Sequence, residues 1–157
     1  MIDRRFTLSV ALPLVMASLL AVGACAGASG TSSMQASSDP NYVEVVPRET
    51  DRRVDVLVGG KPFTSYVWPT TLKKPVLYPL RAASGVVVTR GYPLEPRPGE
   101  RVDHPHHAGM WFNYGDVNGL DFWNNSFAIP AEKKHLYGWI KTDKIIETSN
   151  GDKGILT

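Results

Sequence analysis

Three of the four histidines in this 157-residue chain lie within four positions, and an aspartate precedes them directly. Imidazole takes up or releases a proton near neutral pH, so a cluster of histidines is suited to acid–base catalysis. A neighbouring carboxylate can fix which ring nitrogen carries the proton. The residues that we predict for this chemistry are Asp103, His104, His106 and His107.

The same histidines also fit a metal site. Pro105 disfavours the helical conformation at His104, so residues 103–107 should be extended or turn-like. In an extended chain His104 and His106 would point to one side and His107 to the other, and two imidazoles on one side can bind a divalent metal. We expect no cofactor, with a divalent metal at His104 and His106 as the alternative. The aspartates that could add a distant ligand are Asp116 and Asp121.

Tryptophan and polar side chains follow the histidines closely. Indoles offer flat apolar faces on which sugar rings stack, and amide and carboxylate groups can bond to sugar hydroxyls. Two arginines that end apolar runs could add contacts to an anionic group. A structural role for the histidines, as loop caps bonded to backbone, is the competing interpretation. The predicted substrate-binding residues are Trp111, Asn113, Asp116, Asn118, Asp121, Trp123, Arg81 and Arg90.

The pair Asn118-Gly119 is a strong hairpin signal. If these two residues form the whole turn, Asp116 lies directly opposite Asp121 on the neighbouring strand. Like charges in that position repel each other. Either the loop is longer, therefore, or a cation, a shared proton or a substrate compensates.

Short runs of β-branched and aromatic residues, separated by turns rich in Gly and Pro, make up most of the remaining sequence. This pattern predicts an all-β fold, an antiparallel β-sandwich. Because the last three residues would begin a strand, we expect the domain to be incomplete at its C-terminus. The predicted strands are residues 42–46, 54–58, 62–68, 76–81, 86–90, 110–114, 120–123, 137–142, 144–147 and 155–157, with loops at 91–100 and 124–134.

The N-terminus is typical of an exported bacterial lipoprotein. Arg4 and Arg5 precede an apolar run at 6–22, and small residues then lead to Cys25, which would carry the lipid. We expect an outer-membrane lipoprotein, on the periplasmic or surface face, whose only membrane contact is the lipid anchor. The predicted organisation is a signal peptide at 1–24, a flexible tether at 25–41 and a β-sandwich domain at 42–157.

Charge and cysteine content exclude several classes of protein. The net charge is +2 and no basic stripe is present, so we expect no nucleic-acid partner. A single cysteine can form neither an internal disulfide nor a multi-thiolate metal site.

Residues 103–107 and 109–123, with 74–81 and 89–93 upstream, resemble the bacterial domain-of-unknown-function family labelled "methane oxygenase PmoA". The resemblance implies a galactose-mutarotase-like β-sandwich in a secreted protein of carbohydrate-degrading bacteria. Since family members are longer, it implies that this chain corresponds to their N-terminal half. Members often carry Arg where Ala108 stands, so one substrate contact is in doubt.

The label itself describes a subunit with several membrane-spanning helices, which the mature sequence does not provide. We therefore interpret the label as a misnomer and favour acid–base chemistry on a sugar over methane oxidation. The expected function is an exported lipoprotein that binds or processes carbohydrate. The alternatives are a metal-dependent enzyme and a non-catalytic sugar-binding module.

Overall fold

Residues 39–157 are the part of the chain that the computed structural model describes. The predictions for the signal peptide, for Cys25 and for most of the tether fall on residues outside this range. Within residues 39–157, no helix combines the length and the apolar character needed to cross a membrane.

A four-stranded antiparallel sheet forms the largest regular element, with strands in the order β1-β2-β3-β4. Apolar side chains alternate along its strands, as the sequence predicts for a sheet with one buried face. Gly59 and Gly60 connect β2 to β3 with φ values of 55° and 71°, which glycine adopts without strain. The strands are β1 (Val43–Arg48), β2 (Arg53–Val58), β3 (Lys61–Val67) and β4 (Val76–Leu77).

Two short hairpins and two 3₁₀ helices complete the regular structure of residues 39–157. The hairpins pair β5 with β6 and β7 with β8. The all-β fold class with antiparallel sheets is confirmed, whereas its arrangement as a sandwich stays a prediction. The elements are a 3₁₀ helix at Glu49–Asp51, β5 (Asp116–Val117), β6 (Leu120–Asp121), a 3₁₀ helix at Ala131–Leu136, β7 (Thr148–Ser149) and β8 (Ile155–Leu156).

Several predicted strands are wrong. Residues 137–142 and 144–147 contain no strand. Ile140 N–H makes a single bond to the Lys73 carbonyl at 3.1 Å, and Glu147 exchanges two bonds with Thr157 next to the β7–β8 pair. Residues 86–90 keep one bridge, between Val87 and Arg81. Residues 110–114 likewise keep only the Met110 bridge to the edge strand β4. The predicted loop at 124–134 runs into the second 3₁₀ helix.

Ala108 and Trp111 anchor the histidine segment to the core. Ala108 is 3% exposed and packs with Leu72, Val76 and Tyr78. Trp111 packs against the same cluster. The histidines and the first tryptophan of the predicted site are thus fixed to the side of the core next to β4.

We expect Val54→Ala to lower the free energy of unfolding by roughly 1.5–3 kcal/mol, because it removes two methyl groups from a filled site. Val54 in β2 is fully buried. Val88→Ala is the matched control, since Val88 is 65% exposed, and should change stability by less than about 0.5 kcal/mol. Denaturant unfolding measures both variants, and equal losses would contradict this placement of the core.

Candidate functional site

The three histidines lie on a tight turn rather than on an extended strand. The His107 N–H donates to the His104 carbonyl at 2.9 Å, and His104 has a left-handed φ of 49°. The prediction that His104 and His106 share one side, opposite His107, is therefore wrong. The turn brings all three rings together, with centroids 5.1 Å apart for His104 and His107 and 4.2 Å apart for His106 and His107.

Arg90 holds this turn through hydrogen bonds to the main-chain carbonyls of the turn. Its guanidinium donates to the carbonyl oxygens of Asp103 at 2.8 Å, His104 at 2.7 Å and His107 at 3.2 Å. It also forms an ion pair with the Asp103 carboxylate at 3.2 Å. A planar group with five donors can satisfy several carbonyls at once, which an ammonium cannot do in a fixed geometry. Arg90 therefore positions the histidines, and the substrate contact predicted for it stays a prediction.

The two tryptophans meet the histidines at the same place. His107 stacks on Trp111 with a centroid distance of 5.6 Å, and Trp123 lies 5.6 Å from Trp111. The indole N–H of Trp111 is buried without a partner among residues 39–157, so this residue presents ring faces. Trp123 is 41% exposed. We call His104, His106, His107, Trp111 and Trp123 the imidazole–indole cluster.

A buried lysine that sequence reasoning missed lies against this cluster. Lys74 is only 4% exposed, donates to the Trp123 carbonyl at 2.7 Å and lies 5.2 Å from the centre of the Trp111 ring. In the sequence it stands beside Lys73 in a proline-flanked segment and looks like a solvated charge. The signal was nevertheless present, since every second residue from Leu72 to Tyr78 is buried and Lys74 occupies an inward position of that alternation.

Burial and mutual repulsion set the protonation states here. Burial lowers the pKa of Lys74 from 10.5 to about 8, and the charge of Asp121 opposes this effect only in part. Burial also lowers the pKa of His106 and of His107, and the neighbouring histidines and Lys74 lower both further. His106 and His107 are therefore neutral at neutral pH while Lys74 is mostly charged. The carboxylate of Asp103 lies 3.1 Å from Nδ1 of His104, as the tautomer argument requires.

In the hairpin that follows the histidines, the two opposed carboxylates accept local hydrogen bonds. Asn118 and Gly119 form the two-residue turn with positive φ values, and Asp116 does pair with Asp121. Asp116 accepts from the Gly119 N–H at 2.9 Å. Asp121 accepts from the backbone and side-chain N–H groups of Asn124 at 2.9 and 2.7 Å. Each carboxylate thus accepts hydrogen bonds within its own turn, and the cation Lys74 also interacts with Asp121.

Three other predicted residues make structural contacts instead of joining the cluster. Asn113 donates to the Phe122 carbonyl at 2.8 Å and so closes the hairpin. Asn118 occupies the left-handed turn position. Arg81 bonds to the Gly85 carbonyl at 3.3 Å and lines a different groove, together with Asp55.

Residues 39–157 supply no three-residue ligand set for the alternative metal site. Among residues 39–157, no three His, Cys, Asp or Glu side chains are grouped so that they could hold a metal ion. Asp121, a predicted distant ligand, uses both carboxylate oxygens to bind Asn124.

Open space borders the cluster on two sides. A cavity of about 210 Å³ is lined by Arg90, His107 and Trp111. An apolar groove of about 540 Å³ runs along the other side of Trp111, past Met110 and Phe112. A small molecule can therefore reach His107 and the Trp111 ring from solvent.

We expect Arg90→Gln to destabilise the protein by about 2–3 kcal/mol, because the charged donor to three carbonyl groups is lost. Arg81→Gln is the matched control, since Arg81 makes a single main-chain bond, and should cost less than about 1 kcal/mol. Thermal unfolding compares the two, and amide hydrogen exchange at 104–107 should accelerate only in Arg90→Gln. Equal effects would contradict the positioning role.

We expect the free energy of unfolding to rise as the pH increases from 8 towards 10. The pKa of Lys74 is about 8 in the folded protein and 10.5 in the reference state, so the unfolded chain binds more protons in this window. The whole effect is on the order of 3 kcal/mol, at ~1.4 kcal/mol for each pH unit between the two values. Lys74→Met removes the titrating group and should abolish the rise. Denaturant melts across this range measure it, and parallel curves for both proteins would contradict the account.

Comparisons with known proteins add a family. No curated protein and no solved structure matches the chain. A family model described as a family of unknown function, DUF6807, matches residues 53–157. The match includes β2, β3 and β4 of the main sheet, Lys74, Arg90 and the whole imidazole–indole cluster. This chain therefore belongs to the DUF6807 family of unknown function.

Proposed function

We propose that this protein binds carbohydrate at the imidazole–indole cluster and that His106 and His107 act there as acid–base groups. The observation that carries the proposal is the convergence of three imidazoles, two indoles and the buried Lys74 beside open space. A set of polar and aromatic groups gathered at a cavity is the usual form of a small-molecule site.

The binding part of the proposal rests on the indoles. Trp123 exposes 41% of its surface next to the histidines, and Trp111 presents a ring face to the 210 Å³ cavity. A sugar ring has an apolar face of C–H groups that packs on an aromatic ring, while its hydroxyls bond to neighbouring polar atoms. The ring nitrogens of His107, which lines this cavity, supply such atoms.

The catalytic part rests on two groups with opposite protonation. His106 and His107 are neutral because burial lowers the pKa of each, so either can accept a proton at neutral pH. Lys74, with a pKa of about 8, carries a proton that it can release more easily than an ordinary lysine. His107 and Lys74 both contact the Trp111 ring, and we propose that this base and this acid move protons on a bound hydroxylated molecule in both directions.

The family match leaves open the longer relatives, the sandwich architecture and the lipid anchor, and the proposal includes all three. We propose that the chain is similar to the N-terminal half of the proteins labelled "methane oxygenase PmoA", that its sheets belong to a galactose-mutarotase-like sandwich, and that Cys25 carries a lipid on an exported protein. The motif at residues 103–123 supports the first, and the antiparallel main sheet supports the second. The small residues that precede Cys25 support the third.

We expect titration calorimetry with a panel of mono- and oligosaccharides to detect binding that Trp123→Ala weakens by roughly tenfold, because a stacking face is lost. His106→Ala should retain binding and lose turnover. His135→Ala is the matched control, because this fourth histidine lies on the 3₁₀ helix Ala131–Leu136, and should change neither.

Binding that survives Trp123→Ala unchanged would contradict the proposed stacking site. Turnover that survives His106→Ala and His107→Ala would leave a non-catalytic sugar-binding module. A panel without any binding saccharide would overturn the proposed function.

A further inference from the structure

Another cavity, of about 260 Å³, lies beside Lys74. Lys74 lines this cavity and also contacts Trp111 in the cluster, so one side chain belongs to both. The residues of this cavity that carry the argument are Arg52, Trp68, Lys74, Trp139 and Lys141. We call it the cationic cavity.

Positive charge collects at the cationic cavity, whose lining includes no carboxylate, although the charge of Asp121 acts on Lys74 from outside it. Among the described residues that line it, three are cations and none is Asp or Glu. The ion pairs formed within residues 39–157 include none of Arg52, Lys74 and Lys141. Like charges gathered in a cleft repel each other and focus a positive potential, which an anionic ligand would relieve.

The walls of the cationic cavity are aromatic. Lys141 Nζ lies 4.7 Å from the Trp139 ring centre, and Lys73 Nζ lies 4.2 Å from it, so this ring holds two ammonium groups at the rim. Trp68 adds a second indole. Indole surface beside the exposed cations Arg52 and Lys141 suits a ligand that combines a ring with an acidic group, more than it suits a free inorganic anion.

We propose that the cationic cavity binds the acidic group of a charged sugar, a carboxylated ring such as a uronic acid. This inference rests on the proposed carbohydrate site and adds to it the class of sugar. Because Lys74 lines the cationic cavity and contacts Trp111, a saccharide with one unit on the imidazole–indole cluster would reach this cavity if its next unit extends across Lys74. The acid group then meets Arg52 and Lys141 in the adjacent cavity.

Calorimetric titration of the full chain with D-glucuronate, D-glucose and inorganic sulfate tests this. We expect glucuronate to bind more tightly than either other probe. A double variant, Arg52→Asn with Lys141→Gln, should weaken glucuronate binding by about tenfold, since exposed charge pairs each contribute modestly. Asparagine is chosen because Arg52 has a left-handed φ of 54°, which asparagine tolerates.

The control variant, Lys133→Gln with Lys134→Gln, removes the same charge from the exposed 3₁₀ helix Ala131–Leu136 and should leave binding within twofold. Glucuronate that binds no more tightly than glucose, or an equal loss in both double variants, overturns the inference. Sulfate that binds as tightly as glucuronate also overturns it, because the ring then contributes nothing.

The two proposals fail in different ways. Neutral sugars that bind in a Trp123-dependent manner, without any preference for glucuronate, overturn the acidic-sugar inference and leave the proposed function standing. Glucuronate binding that needs Lys141, in a protein to which no neutral saccharide binds in a Trp123-dependent manner, supports the cationic cavity and overturns sugar binding at the cluster.

Discussion

The guanidinium of Arg90 gathers the main-chain carbonyls of three residues in one turn, and the candidate site depends on that contact. The turn contains a left-handed residue, His104, which costs free energy unless its surroundings hold it. A charged, planar donor supplies that support. Because the backbone is bent in this way, three imidazoles that an extended chain would separate lie together.

Lys74 connects this turn to the rest of the molecule. Its stem occupies an inward position of the alternating segment 72–78, its ammonium group bonds to the Trp123 carbonyl, and its charge lowers the pKa of both His106 and His107. Burial of an ammonium group costs stability, and here it yields a proton donor beside two neutral bases. Active sites often contain buried charged groups that cost stability, because the perturbed pKa of such a group serves the chemistry.

The regular parts of the fold could be predicted from the sequence because the pattern is local. Alternating valines and Gly59-Gly60 predict the β2–β3 hairpin, and Asn118-Gly119 predicts the two-residue turn with Asp116 opposite Asp121. The site could be predicted only in composition. Pro105 is compatible with a strand or a turn, and the donor that decides between them, Arg90, is distant in sequence from the carbonyls it binds.

The predictions for Lys74 and for residues 137–142 were wrong for a related reason. A lysine beside another lysine looks solvated unless the alternating burial of its neighbours is recognised first. A segment with alternating apolar residues looks like a strand even where its backbone forms only single hydrogen bonds to the rest of the protein. In both cases tertiary contacts decided what local preference could not.

The most direct test of the central claim is an NMR titration that follows the imidazole resonances while a saccharide is added. If the imidazole–indole cluster is the binding site, the rings of His106 and His107 shift with the saccharide while that of His135 stays in place. If the saccharide binds and the His106 and His107 resonances do not move, or move no more than those of His135, the site lies elsewhere and the account is contradicted.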